Sequence, residues 1–504
     1  MNTSYAHRHL SAVSSMLFRI DDKVLSSTTV LFTVALMVTV ALLLSNLLTR
    51  RQIPSQYRLP PVAPYSFLES LSASRNGTIA WFFRTVTRRM GRLCRLPFFV
   101  PFKKVFVTAD AELTRLILTD PDTTKSPSLK NFNKITAGTS QFFTSNGYRF
   151  YHARKAMAPA FANNHIKRMD KVTVSKTDEW IEGRLEDLVK NHQDIEINRE
   201  MVDLTLSVIL DAAFEYKMSL KEQKMLMECV HVTLKTFIFP NPFKMFLWFL
   251  FPSIWRAHQK ARELMQIARN ILDAYRRNQS PTKGTVIDLI MNNPHYNSDD
   301  ERAADVIDII IAGHETSANS MTFLLLELAK HPEEQHRLNQ ELLKLAPEDR
   351  TGCEHLRNCV RESMRLWPVT AVGPIRVVGR DYVVPACHDS DNTKTHQKDF
   401  FIPKGSLVFM PSIGVYHNEL YFDNPESFVP SRWENPSEEM KKVFLPFSLG
   451  KRNCLGQSLA LSEMQSILSR VLVQYEFSVV DEGTTGYFLT LKPEGVLLKA
   501  TRRK

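Results

Sequence analysis

The sequence is poor in cysteine, with six in 504 residues: Cys94, Cys229, Cys353, Cys359, Cys387 and Cys454. No two of them form a Cys-x-x-Cys pair, which argues against a disulfide scaffold and reads as free thiols in a reducing compartment, at most one with a special role. There is no internal repeat, and no flavin or nicotinamide fingerprint. Hydrophobic residues make up 44% and charged residues 23%, which excludes a collagen-like chain or a disordered tail. The charge is not balanced: 64 Lys and Arg against 53 Asp and Glu give a net +11. Such an excess can attract nucleic acid, an anionic membrane or an acidic protein, and only its distribution can choose among them.

Charge is absent altogether from Val24 to Thr49, and within that window Val30–Leu44 is apolar except for Thr33 and Thr39. About 20 residues cross ~30 Å of hydrocarbon, so residues 24–49 are expected to form a retained transmembrane anchor after a polar N-terminal segment, 1–23. A cleaved signal peptide would need a shorter apolar core and a small-residue cleavage site, whereas Ser45-Asn46-Leu47-Leu48 runs straight into Arg50-Arg51. Arg8, Arg19 and Lys23 before the span balance Arg50, Arg51 and Arg58 after it, so charge does not fix its orientation. Residues 50–64 carry Pro54, Pro60, Pro61 and Pro64, which exclude helix and read as a semi-rigid spacer. No second linker of that kind follows, so residues 65–504 are expected to be one large domain.

Helical periodicity dominates that domain. Ala303–Lys330 is the longest candidate helix and stops before Pro332. Its apolar residues occur all round, as in a helix buried at the core of a large domain. Yet its middle reads Ala312-Gly313-His314-Glu315-Thr316-Ser317. A glycine, a carboxylate and hydroxyls inside a buried helix break local rules, as functional sites do. Strand-like runs occur at Arg376–Val384 and Leu407–Met410, with the polar stretch Cys387–Lys398 between them as an inserted loop.

The most informative run is Phe447-Ser-Leu-Gly450-Lys-Arg452-Asn-Cys454-Leu-Gly456. Two glycines near a cysteine describe a tight loop with bare backbone beside a sulfur. A helical pattern begins at Gln457, so the thiol faces a helix N-terminus, where the dipole and unpaired N–H groups favour thiolate. Such a thiolate can be a nucleophile, a zinc ligand or a haem axial ligand. Zinc needs three further ligands, which no nearby Cys or His supplies. A nucleophile needs a histidine base, which the sequence neither places nor excludes. An inert buried cysteine is the plain alternative.

Phe447, Gly450, Arg452, Cys454 and Gly456 resemble the haem-binding loop of the cytochrome P-450 family, F-x-x-G-x-R-x-C-x-G. Three more motifs follow the family's order. Residues 312–317 resemble the oxygen-binding segment of its central helix, [AG]-G-x-[DE]-T-[TS]. Glu362-Ser-Met-Arg365 resembles its E-x-x-R pair, and Phe428-Val-Pro430-Ser431-Arg432-Trp433 its F-x-P-x-R-F segment. With the anchor and the proline spacer, the likeness spans essentially the whole chain. The resemblance implies a mainly α fold with small β-sheets (α+β), one haem domain behind an N-terminal membrane helix.

It also implies roles. Cys454 would ligate haem iron as thiolate, with Phe447, Gly450 and Gly456 shaping the loop. Arg452, Arg376 and Arg154 would meet the haem propionates, although Phe150 stands where the family usually has Trp and cannot donate an indole N–H. Glu315 and Thr316 would deliver protons for oxygen chemistry, with Gly313 making room for the oxygen and His314 a neighbour rather than a ligand. Glu362 and Arg365, alone a weak i,i+3 surface pair, would join Arg432 in a buried triad that props the haem loop. The aromatic stretch Phe237–Trp255 would be a membrane-dipping lid that admits apolar substrate, and Thr370–Gly373 and Gly486–Phe488 would line the pocket. Lys441, Lys442 and Lys451 would steer an acidic electron donor.

The activity implied is monooxygenation of an apolar lipid-, sterol- or terpenoid-like molecule. With no nicotinamide or flavin site in the chain, electrons would come from a separate NADPH-cytochrome P-450 reductase-type donor. The partners expected are thus a reductase, an apolar substrate and membrane lipid, with no nucleic acid, at the endoplasmic reticulum with the catalytic domain in the cytosol. Two alternatives are a reductase-independent haem-thiolate isomerase or lyase acting on a peroxide, and a non-enzymatic haem sensor. The intact Glu315-Thr316 pair argues against both.

Overall fold

The computed structural model describes residues 53–100, 103–237, 251–385 and 398–503. The uncharged run at 24–49 lies outside them, as do most of the aromatic stretch 237–255 and most of the polar loop 387–398. Among the described residues no helix is long and apolar enough to cross a membrane.

Helices carry the architecture. The central one, Asp299–Lys330, is 32 residues long. It starts ahead of the expected Ala303 because a cap outweighs the apolar pattern. Ser298 Oγ accepts the Glu301 N–H at 3.3 Å, and Glu301 Oε2 accepts the Asn297 N–H at 2.9 Å. Asp299, Asp300 and Glu301 then face the positive end of the helix dipole. It ends at Lys330, before the Pro332 that opens the next helix.

Helices Ile197–Phe214, Pro252–Arg277, Glu354–Leu366 and Gln457–Gln474 pack around it. The first crosses it closely. A Cβ at Gly313 would sit 3.0 Å from the Ile209 side chain. Gly313, expected to make room for oxygen, thus also gives room to this crossing helix.

A five-stranded sheet lies to one side, in the order Leu93–Val100, Lys103–Thr108, Leu407–Phe409, Ile375–Val377, Thr124–Lys125. Its last pair is antiparallel and sets Lys125 directly opposite Arg376. The expected strand run Arg376–Val384 is two strands, Ile375–Val377 and Tyr382–Val384. The break falls at Gly379, where a Cβ would lie 2.2 Å from Asp122 O. The proline-rich stretch forms no helix, and part of it joins the domain instead of standing clear as a spacer. Ala63 N donates to Arg95 O at 2.8 Å and Arg58 N to Asp399 O at 3.0 Å.

Candidate active site

The loop before helix Gln457–Gln474 is built as its sequence demands. Ser448 and Gly450 both take positive φ, 61° and 76°. At Gly450 a Cβ would lie 2.4 Å from Leu118 O, so only glycine lets the loop approach that backbone. Cys454 N donates to Phe447 O at 2.8 Å, closing the turn. The Cys454 side chain is accessible by area, yet it is walled by protein, and burial pushes its thiol pKa up. The Gly456 N–H and the Arg154 charge pull it back without overcoming burial. A cation bound at the sulfur would favour its ionised form.

The cavity beside the loop is lined by Thr316, Ser317, Ser320, Met364, Thr370 and Phe447, among others. Thr316 Oγ1 donates to Ala312 O at 2.8 Å, one turn back. Ala312, one turn before Thr316, is exposed, while the helix around it is buried or half-buried. Glu315, next to Thr316, is half-buried. His314 points elsewhere: it is buried, its Nδ1 meets Ile310 O at 2.6 Å, and burial lowers its pKa, so it is a neutral packing residue. Gly486 and Phe488 are half-buried, with Phe488 packed on the helical core. Below Thr316, Glu463 is buried in helix Gln457–Gln474 against Ser317, and burial raises its pKa to about 8.

Cations converge above the loop. Arg376 is 5% exposed, and its one donated bond goes to the carbonyl of Ile375. Arg452 donates to Ser145 O at 2.9 Å and Asn146 Oδ1 at 2.8 Å and lies 3.6 Å over the Phe150 ring, while its buried Nη1 has no partner. Burial pushes both guanidiniums down to about 10, and Arg376 and Arg154 add repulsion at Arg452. Lys125, which the sequence did not single out, joins them. Burial drives its pKa well down, with Arg376 and Arg452 adding to that and Asp308 opposing it. Lys125 lies far from every motif in sequence; only the strand register brings it here. Arg154 departs from the expected propionate position: it donates to the Asn453 carbonyl at 2.8 Å and to the Asn453 side chain, beside the thiol.

Like charges directly opposed and desolvated are unfavourable. Among the described residues no carboxylate lies within ion-pair distance of Arg376, Arg452 or Lys125. These cations, the orphaned Arg452 Nη1 and the soft sulfur of Cys454 in the same loop fit a group that carries acidic tails and a thiophilic metal. Haem has both. Phe150 contributes no N–H, but as a ring under Arg452 it holds that guanidinium by cation–π attraction.

Behind the loop, the remaining charges are handled in the opposite way. Glu362 and Arg365 have no exposed side-chain surface. Glu362 accepts from Arg365 Nε and Nη2 at 2.9 and 2.8 Å, from Arg432 Nε at 2.9 Å, from Trp433 Nε1 at 2.9 Å and from Val429 N at 3.0 Å. Arg365 Nη1 also donates to Tyr416 O and Pro425 O. Tyr416 Oη in turn accepts from Leu445 N at 2.9 Å, two residues before Phe447. The pair, which read alone would sit at the helix surface, is buried with Arg432, and its network reaches the loop.

A fold of buried helices with a cysteine loop beside a cavity, and with buried cations that have no carboxylate at ion-pair distance among the described residues, is what a haem-thiolate protein needs. The cytochrome P450 family model matches residues 59–504, and the chain belongs to that family. Its members are monooxygenase oxidoreductases that use haem with a cysteine thiolate on the iron. The chain is 26% identical over 365 residues to taurochenodeoxycholic 6 alpha-hydroxylase of Sus scrofa, covering 66% of this chain and 69% of that protein. It is 25% identical to human cytochrome P450 4A11 over 66% of each, and 33% identical to human cytochrome P450 3A5 over 40% of this chain and 38% of that one. A solved cytochrome P450, CYP102L1, shares the fold with a TM-score of 0.71 at 21% identity, covering 85% of this chain and 98% of that one.

Proposed function

We propose that this chain is a membrane-tethered monooxygenase that inserts one oxygen atom from O2 into an apolar molecule, with electrons from a separate NADPH-dependent reductase. The observation that carries the reading is the Cys454 loop itself: its Phe447 shares a cavity with Thr316, and its Arg452 belongs to a cluster with Arg376 and Lys125 that has no carboxylate at ion-pair distance among the described residues. Cys454 would bind the haem iron, and Arg376, Arg452 and Lys125 would hold the propionates. Haem supplies the one-electron chemistry and dioxygen activation, and a thiolate ligand favours O–O cleavage.

The chain's own residues do the rest. Arg154 fixes the Asn453 turn beside the sulfur, Gly450 lets the loop approach the Leu118 backbone, and the Gly456 N–H bonds to the sulfur. Thr316 Oγ1, back-bonded to Ala312 O, holds a hydroxyl on the cavity face, with Glu315 beside it as the proton source. The Glu362–Arg365–Arg432 network keeps the loop in place. Residues 24–49 would anchor the domain to the endoplasmic reticulum, with Lys442 and Lys451 near the loop to meet an acidic donor. Lys441 is already paired with Glu438 at 2.7 Å.

The test combines a spectrum with a turnover assay. The reduced carbon monoxide complex should show the red-shifted Soret band of haem-thiolate iron. Oxygen consumption should need both reductase and NADPH. Turnover of a lipid peroxide with neither would replace this reading by the isomerase one.

A further inference from the structure

A second cavity, of about 200 Å³, opens between helix Gly147–Met157 and the stretch 293–301 that leads into the central helix. Its walls include Tyr148, Arg149, His152, His295 and Glu301, and neither the cysteine loop nor the 312–317 segment lines it. The charges at its wall are already engaged. Arg149 pairs with Asp305 at 2.8 Å, and Glu301 Oε2 accepts from Asn297 N at 2.9 Å.

The two imidazoles are not engaged in that way. The His152 ring centroid lies 3.9 Å from that of Tyr148 and 3.9 Å from that of His295, with the two imidazole planes tilted by 46°. Rings packed for contact alone favour offset-parallel or edge-to-face arrangements, and this tilt is neither. Tyr148 Oη meets His295 Nδ1 at 3.0 Å. With the Nδ1 proton donated to the phenol oxygen, His295 Nε2 keeps its lone pair, which is how an outer partner sets the tautomer of a metal-binding histidine. Among the described residues no hydrogen bond occupies His295 Nε2 or either nitrogen of His152. Desolvation, His295 and Lys155 all lower the His152 pKa from its ordinary 6.5, so that ring is neutral at pH 7.

We propose that His152 and His295 together bind one divalent transition-metal ion of the zinc type. Imidazole nitrogen suits zinc, copper and nickel, whereas magnesium and calcium take oxygen ligands. Two nitrogens on one zinc, each at ~2.0–2.1 Å in a tetrahedral arrangement, are ~3.4 Å apart, a spacing that rings 3.9 Å apart reach by rotating in place. Among the described residues no three His, Cys, Asp or Glu side chains converge as a ligand set. The protein therefore supplies two ligands and water the rest, and the cavity has room for waters of ~30 Å³ each. Helix Gly147–Met157 also carries Phe150 and Arg154, so the metal ties that helix to the chain entering the central one. The proposal does not rest on the monooxygenase reading.

The test is calorimetric titration of zinc into the full-length holoprotein at about pH 7.5. The native protein should bind one equivalent that excess magnesium does not displace, and its unfolding midpoint should rise with zinc. His152→Phe and His295→Phe, which keep a ring at each position, should each weaken that binding tenfold or more and remove the rise. Circular dichroism shows whether each variant has folded, and His152→Gln replaces His152→Phe where the latter has not. Tyr148→Phe should keep the stoichiometry and weaken binding about tenfold, because only the outer partner of His295 is lost. Near pH 5.5 the native affinity should fall as the imidazoles take up protons. Absence of a stoichiometric zinc site in the native protein, binding unchanged in the folded His152 and His295 variants, or displacement of zinc by magnesium overturns the proposal.

Discussion

Two groups of buried charge flank the cysteine loop, and they are built on opposite rules. Glu362, Arg365 and Arg432 pair within one network and add carbonyls, an indole and a backbone amide until the carboxylate and the inner guanidinium are satisfied. Arg376, Arg452 and Lys125 are brought together with no carboxylate partner and repel one another. Buried cations without a carboxylate are unfavourable unless an anionic ligand completes them. Satisfied buried charge therefore marks the scaffold, and unsatisfied buried charge marks the site. Glu463 shows a third solution, a carboxyl kept neutral by burial.

The comparison can be broken by removing members of each group in turn. Cys454→Ala should have the largest effect, abolishing the red-shifted Soret band; a retained band would move the iron ligand elsewhere. Glu362→Ala should cost about 3–5 kcal/mol in chemical denaturation, because it strands two buried guanidiniums. Arg376→Met should behave oppositely. It should leave unfolding of the haem-free chain unchanged or slightly favour the folded state, while haem affinity measured by transfer to an acceptor apoprotein falls. Equal destabilisation by Glu362→Ala and Arg376→Met would erase the distinction between the groups.

Two finer predictions follow. The Glu463 carboxyl is raised from an ordinary 4.5 to about 8, so the folded state holds a proton that the unfolded chain releases. Its contribution to stability is full below pH ~4.5 and is lost as pH rises toward ~8, by up to about 1.4 kcal/mol per pH unit. Glu463→Gln should flatten that slope in urea midpoints measured across the range. The smallest effect is expected at Phe150. Phe150→Leu removes the ring under Arg452 and should weaken haem retention by about 1 kcal/mol, and Phe150→Trp should restore it.

Thr316→Ala bears on the cavity and not on either charge group. It should keep haem and spectrum but consume reductant without matching product, read as the ratio of NADPH oxidised to substrate oxygenated. Coupled turnover in that variant would remove Thr316 from proton delivery.

Much of the site was legible because its residues are local in sequence. The loop 447–456 carries its own turn glycines, its cysteine and the helix that follows. The segment 312–317 announces itself by polar residues in a buried helix. The central helix was legible from its apolar residues and from Pro332, though its start was set by the Ser298 cap, which hydropathy does not report. What stayed hidden was non-local. Lys125 looked like any surface lysine until strand pairing set it against Arg376. The crossing of Ile209 at Gly313 was equally invisible, because the two lie about a hundred residues apart.

The sequence by itself determined the family, the cysteine, the expected cofactor and the pairing of Glu362 with Arg365, since each is written in a short run of residues. Only the tertiary structure decided which charges are satisfied. It showed Glu362 buried where helix periodicity placed it at a surface, Arg154 bonded to Asn453, and Arg452 stacked on Phe150. The physical reason is that a charge's cost depends on what surrounds it in space, and four or five separate segments supply those surroundings.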